Sequence, residues 1–319
     1  MRTLVPAAAL VVPLVCASGC APHYVVARPG DPSLARAAGA RADGVTRNVV
    51  LVSVDGLRPD AIDRFAASTL QRLMREGSYS LSARTILPST TLPSHTSMLS
   101  GEPPADHGVL WNNVLTAKAD VVELPTVFSV ARAHGLRTAA FFSKAKFEPL
   151  QRPGTLDYSQ APGGWFGRWS SDRTMADVRS YLSKERPNLL FVHLSDPDRA
   201  GHSAGWMSAA YGRAVREADE ALGALVLAAD AAYGAGNYSL LVTADHGGHG
   251  RDHGSSDPRD VTIPWIAWGR GVSAGPLENL PIQTFDTAPT VLWLLGLETP
   301  AEWDGAPVTK AFLAPTAPD

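Results

Sequence analysis

The stretch from Ser239 to Gly254, SLLVTADHGGHGRDHG, constrains this chain more than any other. It opens as an apolar, β-branched run, Leu240-Leu241-Val242-Thr243, the pattern of a short buried strand. It then breaks into Asp245-His246-Gly247-Gly248, with His249 and His253 following. Four potential metal ligands therefore stand within nine residues, just past the carboxyl end of a core strand. Open α/β sheets gather their ligand sites at that end. One histidine there would read as a solvated loop residue. Three histidines and an aspartate in this position predict a metal site instead.

The same pattern recurs. Val49-Val50-Leu51-Val52-Ser53-Val54 is a continuous apolar run that stops at Asp55-Gly56. Asn188-Leu189-Leu190-Phe191-Val192-His193-Leu194 ends in Ser195-Asp196-Pro197-Asp198 and, four residues on, His202. Further strands are expected at 137–142 and 263–268, with one conceivable at 78–87. Between them lie helical stretches near 59–76, 94–99, 125–134, 172–184, 207–232 and 286–295. Alternating strands and helices predict an α/β fold, a mainly parallel central sheet sandwiched by helices. The rhythm lapses at 143–170, where Lys144, Lys146, Phe147, Tyr158, Trp165, Phe166, Arg168 and Trp169 collect among Pro and Gly, so a small cap insertion is expected there.

The chain's 319 residues are 45% hydrophobic and 18% charged, ample for one large core. A net charge of -3 without a basic run argues against a nucleic-acid polymer as partner. Arg2, the apolar stretch 4–15 and Ala17-Ser18-Gly19-Cys20 read as an export signal too short to anchor a helix in a bilayer. Its ending resembles a bacterial lipoprotein signal, although Ala17 sits where Leu or Val is usual. Cleavage with lipid attached to Cys20 is expected, with ordinary cleavage into the periplasm or medium as the alternative. Both cysteines, Cys16 and Cys20, lie in this signal, so the exported domain needs no disulfide. The expected organisation is a signal at 1–20, a flexible tether at 21–47 and one catalytic domain at 48–319.

In a parallel sheet Asp55, Asp198 with His202, and Asp245 with His246 share one edge and can converge. Carboxylate oxygens and imidazole nitrogens suit zinc and related ions. Asp196 reads as a helix cap.

These motifs carry a resemblance. Asp55-Gly56, Thr91-Leu92-Pro93-Ser94-His95, Pro197-Asp198-x-x-Gly201-His202, Asp245-His246-Gly247, His253-Gly254 and the tail from Thr284 to Gly296 together resemble the alkaline phosphatase superfamily. Within it the chain is most similar to the type I phosphodiesterase/nucleotide pyrophosphatase branch, in order over about residues 48–308. The resemblance implies two divalent metal ions, zinc first among candidates. Asp198, His202 and His253 would hold one, and Asp55, Asp245 and His246 the other, with Thr91 oxygen as ligand and nucleophile. The expected reaction is phosphoric ester hydrolysis through a phosphothreonine, on a small-molecule substrate. Thr90 and Ser89 are rival nucleophiles, and His249 competes with His253. Asn112 is the expected phosphoryl hydrogen-bond donor, with Asn113 as its rival. His95 and His107 are expected to be structural. A cap aromatic (Trp165, Phe166 or Trp169) could stack a leaving group.

Alternatives on the same frame are a phosphomonoesterase, a phosphonate hydrolase or a phosphotransferase. A sulfatase lacks support, since Thr91 stands in no Cys/Ser-x-Pro-x-Arg context. A surface-anchored binding module retaining the fold is the non-enzyme alternative. Diester preference is expected because residues 92–117 contain no Lys or Arg to meet a dianionic monoester, although Lys144, Lys146 or Arg168 could reach in from the cap.

Overall fold

The structure, a computed structural model, describes the backbone of 23–26 and the residues 44–113, 124–152, 154–164 and 167–313. Among the described residues nine strands form one sheet: β1 (His23–Val26), β2 (Val49–Val54), β3 (Ser78–Arg84), β4 (Thr138–Phe141), β5 (Tyr158–Ala161), β6 (Leu189–Leu194), β7 (Ser239–Thr243), β8 (Thr262–Gly269) and β9 (Gly275–Pro276). Their order is β1-β5-β4-β6-β2-β7-β8-β3-β9. The five strands from β5 to β7 run parallel, whereas β8 is antiparallel to both β7 and β3. Among the described residues ten α-helices accompany them: α1 (Pro59–Arg64), α2 (Ser68–Glu76), α3 (Thr91–Ser100), α4 (Pro104–His107), α5 (Val127–Ala133), α6 (Ser171–Leu182), α7 (Asp196–Ala204), α8 (Ala209–Tyr233), α9 (Pro258–Val261) and α10 (Thr287–Leu294).

The apolar runs form the centre because a strand covered on both faces can hold no polar side chain cheaply. All six residues of β2 and all six of β6 are buried. Register matters more than burial for function. Val54 pairs with Leu194, and Ser53 with both His193 and Thr243, so β2, β6 and β7 end level. Asp55, Ser195 and Asp245 consequently emerge along one edge.

Gly56 closes this edge. Its φ of +72° lies in the left-handed region, and a Cβ there would stand 2.9 Å from the Asp198 Cα. The Asp198 N–H donates to the Asp55 carbonyl at 3.0 Å, which ties the two strand ends together.

Three expectations need correction. The helix expected at 59–76 is two helices, α1 and α2, separated by Ala66 at φ 52°. The Asp219 carboxylate accepts from the Thr69 and Leu70 N–H groups at 2.9 and 2.8 Å, so a distant acid starts the second helix. The helix expected at 94–99 begins at Thr91 itself. Finally, the segment read as a cap supplies β5, which pairs in parallel with β4 and completes the sheet. Its sequence Tyr-Ser-Gln-Ala carries no apolar run to announce a strand. Within the stretch read as a tether, β1 pairs antiparallel with β5, and its Val25-Val26 pair suits extended backbone. The rest of 21–43 and the signal lie outside the described residues.

Candidate metal centre

Helix α7 starts at Asp196 and sets Asp198 and His202 one turn apart on the same face. His253 arrives from the loop after β7. The His202 Nε2 lies 3.2 Å and the His253 Nε2 3.6 Å from the Asp198 Oδ1, and the two nitrogens are 3.1 Å apart. A tetrahedron whose corners stand about 2.0–2.1 Å from its centre has edges of roughly 3.3 Å. These three atoms match one face of it.

The second set surrounds the His246 Nε2. The Asp245 Oδ2 is 3.3 Å away, the Asp55 Oδ1 3.5 Å and the Thr91 Oγ1 3.5 Å. The His246 and His253 rings stack at 3.6 Å between centroids, so the two sets adjoin. Asp198 is also near enough to group with Asp55 and His246.

The histidines are oriented as ligands must be. Nδ1 of His202, His246 and His253 meets the carbonyl of Arg251, Gly247 and Ser89, at 3.0, 2.8 and 2.9 Å. A carbonyl only accepts, so each Nδ1 donates and each neutral ring turns a lone pair on Nε2 toward the centre. Two such lone pairs facing each other across 3.1 Å, as in His202 and His253, need a proton or a metal ion between them; in the metal-free chain the hydrogen bond to Asp198 raises the His202 pKa and favours the proton. Burial, with His253 close by, pushes the His246 pKa down to about 3, so this ring stays neutral and able to ligate.

The carboxylates repeat the theme. Asp55, Asp198 and Asp245 are each 2% exposed or less. The Asp245 Oδ1 accepts from the Gly56 and His246 N–H groups, and the Asp55 Oδ2 from the His193 Nε2. In each acid the other oxygen facing the histidines, Asp55 Oδ1, Asp198 Oδ1 or Asp245 Oδ2, has no hydrogen-bond partner. Taking a carboxylate out of water costs several kcal/mol even after relaxation. Three orphaned oxygens aimed at one cluster of imidazole nitrogens therefore fit divalent cations.

A buried lysine from the cap segment joins them, Lys144, one of the three cations expected to be able to reach in. The Lys144 Nζ donates to the Asp55 Oδ2 at 2.5 Å and the Asp198 Oδ2 at 2.6 Å. Burial opposes its charge, but Asp198, Asp55 and Asp245 outweigh burial and raise its pKa. Burial likewise pushes Asp55 up, yet Lys144 and His193 hold it well below the carboxylate range. Burial and the Asp55 carboxylate drive Asp245 well above that range in the metal-free chain.

Thr91, 1% exposed, is the first residue of α3, so the positive end of the helix dipole lies beside its hydroxyl. Thr90 is the N-cap, and the Ser89 Oγ donates to the Ser255 carbonyl at 2.9 Å. The Asn112 Oδ1 accepts from the Leu92 N–H at 3.0 Å and the Lys146 Nζ at 3.1 Å. Two donors on Oδ1 fix the amide and turn its NH₂ away from them. His249 departs from the cluster. Its Nδ1 stands 2.7 Å from the Asp260 Oδ1, and neither candidate ligand group includes it. His95 bridges the Thr91 carbonyl and the Ser53 hydroxyl, and the His107 Nε2 meets the Ser97 hydroxyl, the structural roles expected of both. Trp165 and Phe166 lie outside the described residues.

Sequence reasoning allowed Lys144 and Lys146 to reach in from the cap, as both do, but missed His193 and Ser143. His193 holds the Asp55 Oδ2 through Nε2 and accepts from the Ser143 hydroxyl at 2.7 Å. The missed signal was positional. Ser143-Lys144 follows β4 as Asp55 follows β2, at the same sheet edge. Two lysines from the cap segment thus stand at this edge, although residues 92–117 carry none.

Residues 49–253 match the family described as Type I phosphodiesterase / nucleotide pyrophosphatase. The chain is 25% identical over 225 residues to ectonucleotide pyrophosphatase/phosphodiesterase family member 3 of Mus musculus, covering 62% of this chain and 24% of that protein. It is 25% identical over 276 residues to GPI ethanolamine phosphate transferase 1 of Aspergillus oryzae, covering 74% of this chain and 26% of the other. The chain thus spans about a quarter of these relatives' length. Its fold resembles murine ectonucleotide pyrophosphatase/phosphodiesterase 5, solved as an inactive variant with AMP, at a TM-score of 0.71 and 15% identity, covering 83% of this chain and all of that one. By the family match, over strands and ligand loops alike, the chain belongs to the type I phosphodiesterase/nucleotide pyrophosphatase family of the alkaline phosphatase superfamily.

Proposed function

We propose that the chain is a metal-dependent hydrolase of phosphoric diesters or nucleotide pyrophosphates, with Thr91 as nucleophile. The observation that carries this reading is the set of orphaned oxygens on Asp55, Asp198 and Asp245 beside the Thr91 hydroxyl. Asp198, His202 and His253 would hold one divalent ion, and Asp55, Asp245, His246 and Thr91 the other. Such ions supply Lewis-acid stabilisation and lower the pKa of a bound hydroxyl. The chain's own residues do the rest. The Thr91 Oγ forms a bond to phosphorus as the bond to the leaving alcohol breaks, the hydroxyl proton leaving with that alcohol; the threonine keeps the phosphoryl group with its remaining ester, and water later cleaves the Thr91–phosphorus bond to release a monoester. The start of α3 favours the phosphoryl charge, and the Asn112 NH₂ donates to one of its oxygens.

A phosphomonoesterase is the second reading, favoured by Lys146. Its ammonium meets Asn112 and would add charge where a dianion sits; burial and neighbouring Lys144 lower its pKa to about 8, leaving it mostly charged at neutral pH. The test compares kcat/KM for an aryl phosphomonoester and the matching aryl methyl diester. A diester advantage is expected. Lys146→Met should reduce monoester hydrolysis on the order of tenfold or more, since a charge-assisted contact is worth about 1.5–3 kcal/mol, with a smaller loss for the diester. A monoester advantage in the wild type would replace the diesterase reading with a phosphatase. Acceptor assays would identify a phosphotransferase, and a chain that neither retains metal nor turns over any ester would be the binding module.

The chain is further proposed to be exported and held at a bacterial membrane by a lipid on Cys20. No helix among the described residues is long and apolar enough to cross a membrane. Cys20→Ala should move the protein from the membrane fraction to the soluble one with unchanged turnover. Wild-type protein found soluble and beginning beyond Cys20 would show ordinary cleavage.

A further inference from the structure

We propose that the carboxyl edge of the parallel strands, the edge that carries the metal centre, faces the bilayer holding the lipid on Cys20. This rests on the lipid reading above and adds to it the side of the molecule that meets the membrane.

The register of β1 fixes that side. Tyr24 pairs with Gln160, Gln160 with Phe141, Phe141 with Val192 and Val192 with Val52, so β1 lies level with the central strands. It runs antiparallel to β5, whereas β5, β4, β6 and β2 run parallel. The chain before β1 therefore leaves the sheet where those strands end, on the side of Asp55 and Asp245. Cys20 stands three residues before His23. Three residues span at most about 10 Å, however they run. The opposite edge is farther by the length of β2, roughly 20 Å for its six residues. A tether over 21–47 would let the domain turn freely; with β1 in the sheet the leash is three residues. The anchor does not cover the centre, because β1 stands four strands from β2, about 19 Å at the usual spacing.

Apolar surface alone does not choose between the edges. Among the described residues the exposed large apolar side chains are Leu87, Leu110, Leu227 and Leu313, and they divide evenly. The Leu313 N–H donates to the Gly271 carbonyl, and Leu227 lines a cavity with Gly236 and Gly269, which places both at the opposite edge. Leu87 lies two residues before Ser89, whose carbonyl holds His253, and Leu110 two before Asn112, whose Oδ1 holds the Leu92 N–H. These two flank the centre, 54% and 60% exposed. With the anchor at their edge, they are the side chains that enter the bilayer interface.

The test uses the lipidated chain on vesicles containing nitroxide-labelled lipid. Cys16 leaves with the signal and the Cys20 thiol carries the lipid, so one introduced cysteine can bear a fluorophore. Leu87→Cys, Leu110→Cys and Leu227→Cys are labelled in turn. The probes at 87 and 110 should lose emission to the nitroxide several-fold more than the probe at 227. The reverse order, or equal loss at all three, would overturn the inference. So would the absence of loss at every probe on chains that sediment with the vesicles. Should Leu87→Cys fail to fold, the comparison of 110 with 227 decides. Wild-type chain that stays off the vesicles, with no lipid on Cys20 by mass spectrometry, would reject the anchoring reading itself and this orientation with it.

Discussion

Thr91→Ala is expected to lower turnover of every ester the chain accepts by on the order of 10⁴-fold or more, the scale on which removal of a covalent nucleophile acts. The hydroxyl sits at the first position of α3, 3.5 Å from the His246 Nε2, with a buried helix behind it. Thr91→Ser keeps the oxygen and should retain measurable activity. Thr90→Ala should keep most of it, because the Thr90 side chain makes no capping hydrogen bond to α3. Neither Thr91 variant disturbs the anchors of the loop, since the His95 Nδ1 bonds the Thr91 carbonyl rather than its side chain. Melting temperature should therefore change little. Acid quenching during turnover of an aryl methyl diester, followed by peptide mapping, should find a methyl phosphoryl group on Thr91, and with a monoester, phosphate. Near-normal turnover in Thr91→Ala, or phosphate on Thr90, would sink the proposed intermediate.

What could be read from the sequence followed from burial. Strands β2, β6 and β7 are covered on both faces, so they are continuous apolar runs, and their abrupt acidic ends marked the edge where ligands gather. The spacing of Asp198 and His202 was legible because one helical turn joins them. Strand β5 was not legible, because Tyr158–Ala161 mixes polar and apolar residues without a run of either kind. Nor was the break between α1 and α2, where Asp219, 150 residues from Thr69, supplies the capping oxygen.

Lys144 illustrates the harder limit. A lysine in the cap could reach the site, but the sequence cannot say which acids it meets, and an ammonium is seldom buried unless paired. Its partners, Asp55 and Asp198, are 89 and 54 residues away, and only the level ends of β2, β4 and β6 bring them together. His249, left outside the expected ligand set, is the reverse case. It stands inside the ligand-rich loop, yet the Asp260 carboxylate, which also accepts from the Ser255 N–H and hydroxyl, draws its ring out of the cluster.

That contrast sets the second large effect. Chelation is expected to abolish turnover, and zinc to restore it, while the metal-free chain melts at lower temperature. An ion present at 1,000 times its Kd stabilises by about 4 kcal/mol, on the order of 10 °C for a domain of this size. Asp55→Ala, Asp198→Ala and His253→Ala should each lower both zinc content and turnover, because each removes an atom directed at the cluster. His249→Ala should keep wild-type zinc content. It costs about 1 kcal/mol of stability for the lost Asp260 bond, since Ser255 still satisfies the other oxygen of that acid. Zinc counted per chain alongside melting temperature separates these cases. If His253→Ala retains its zinc while His249→Ala loses it, the Asp260 pairing is not the resting place of His249, and the first ligand set must be redrawn around it.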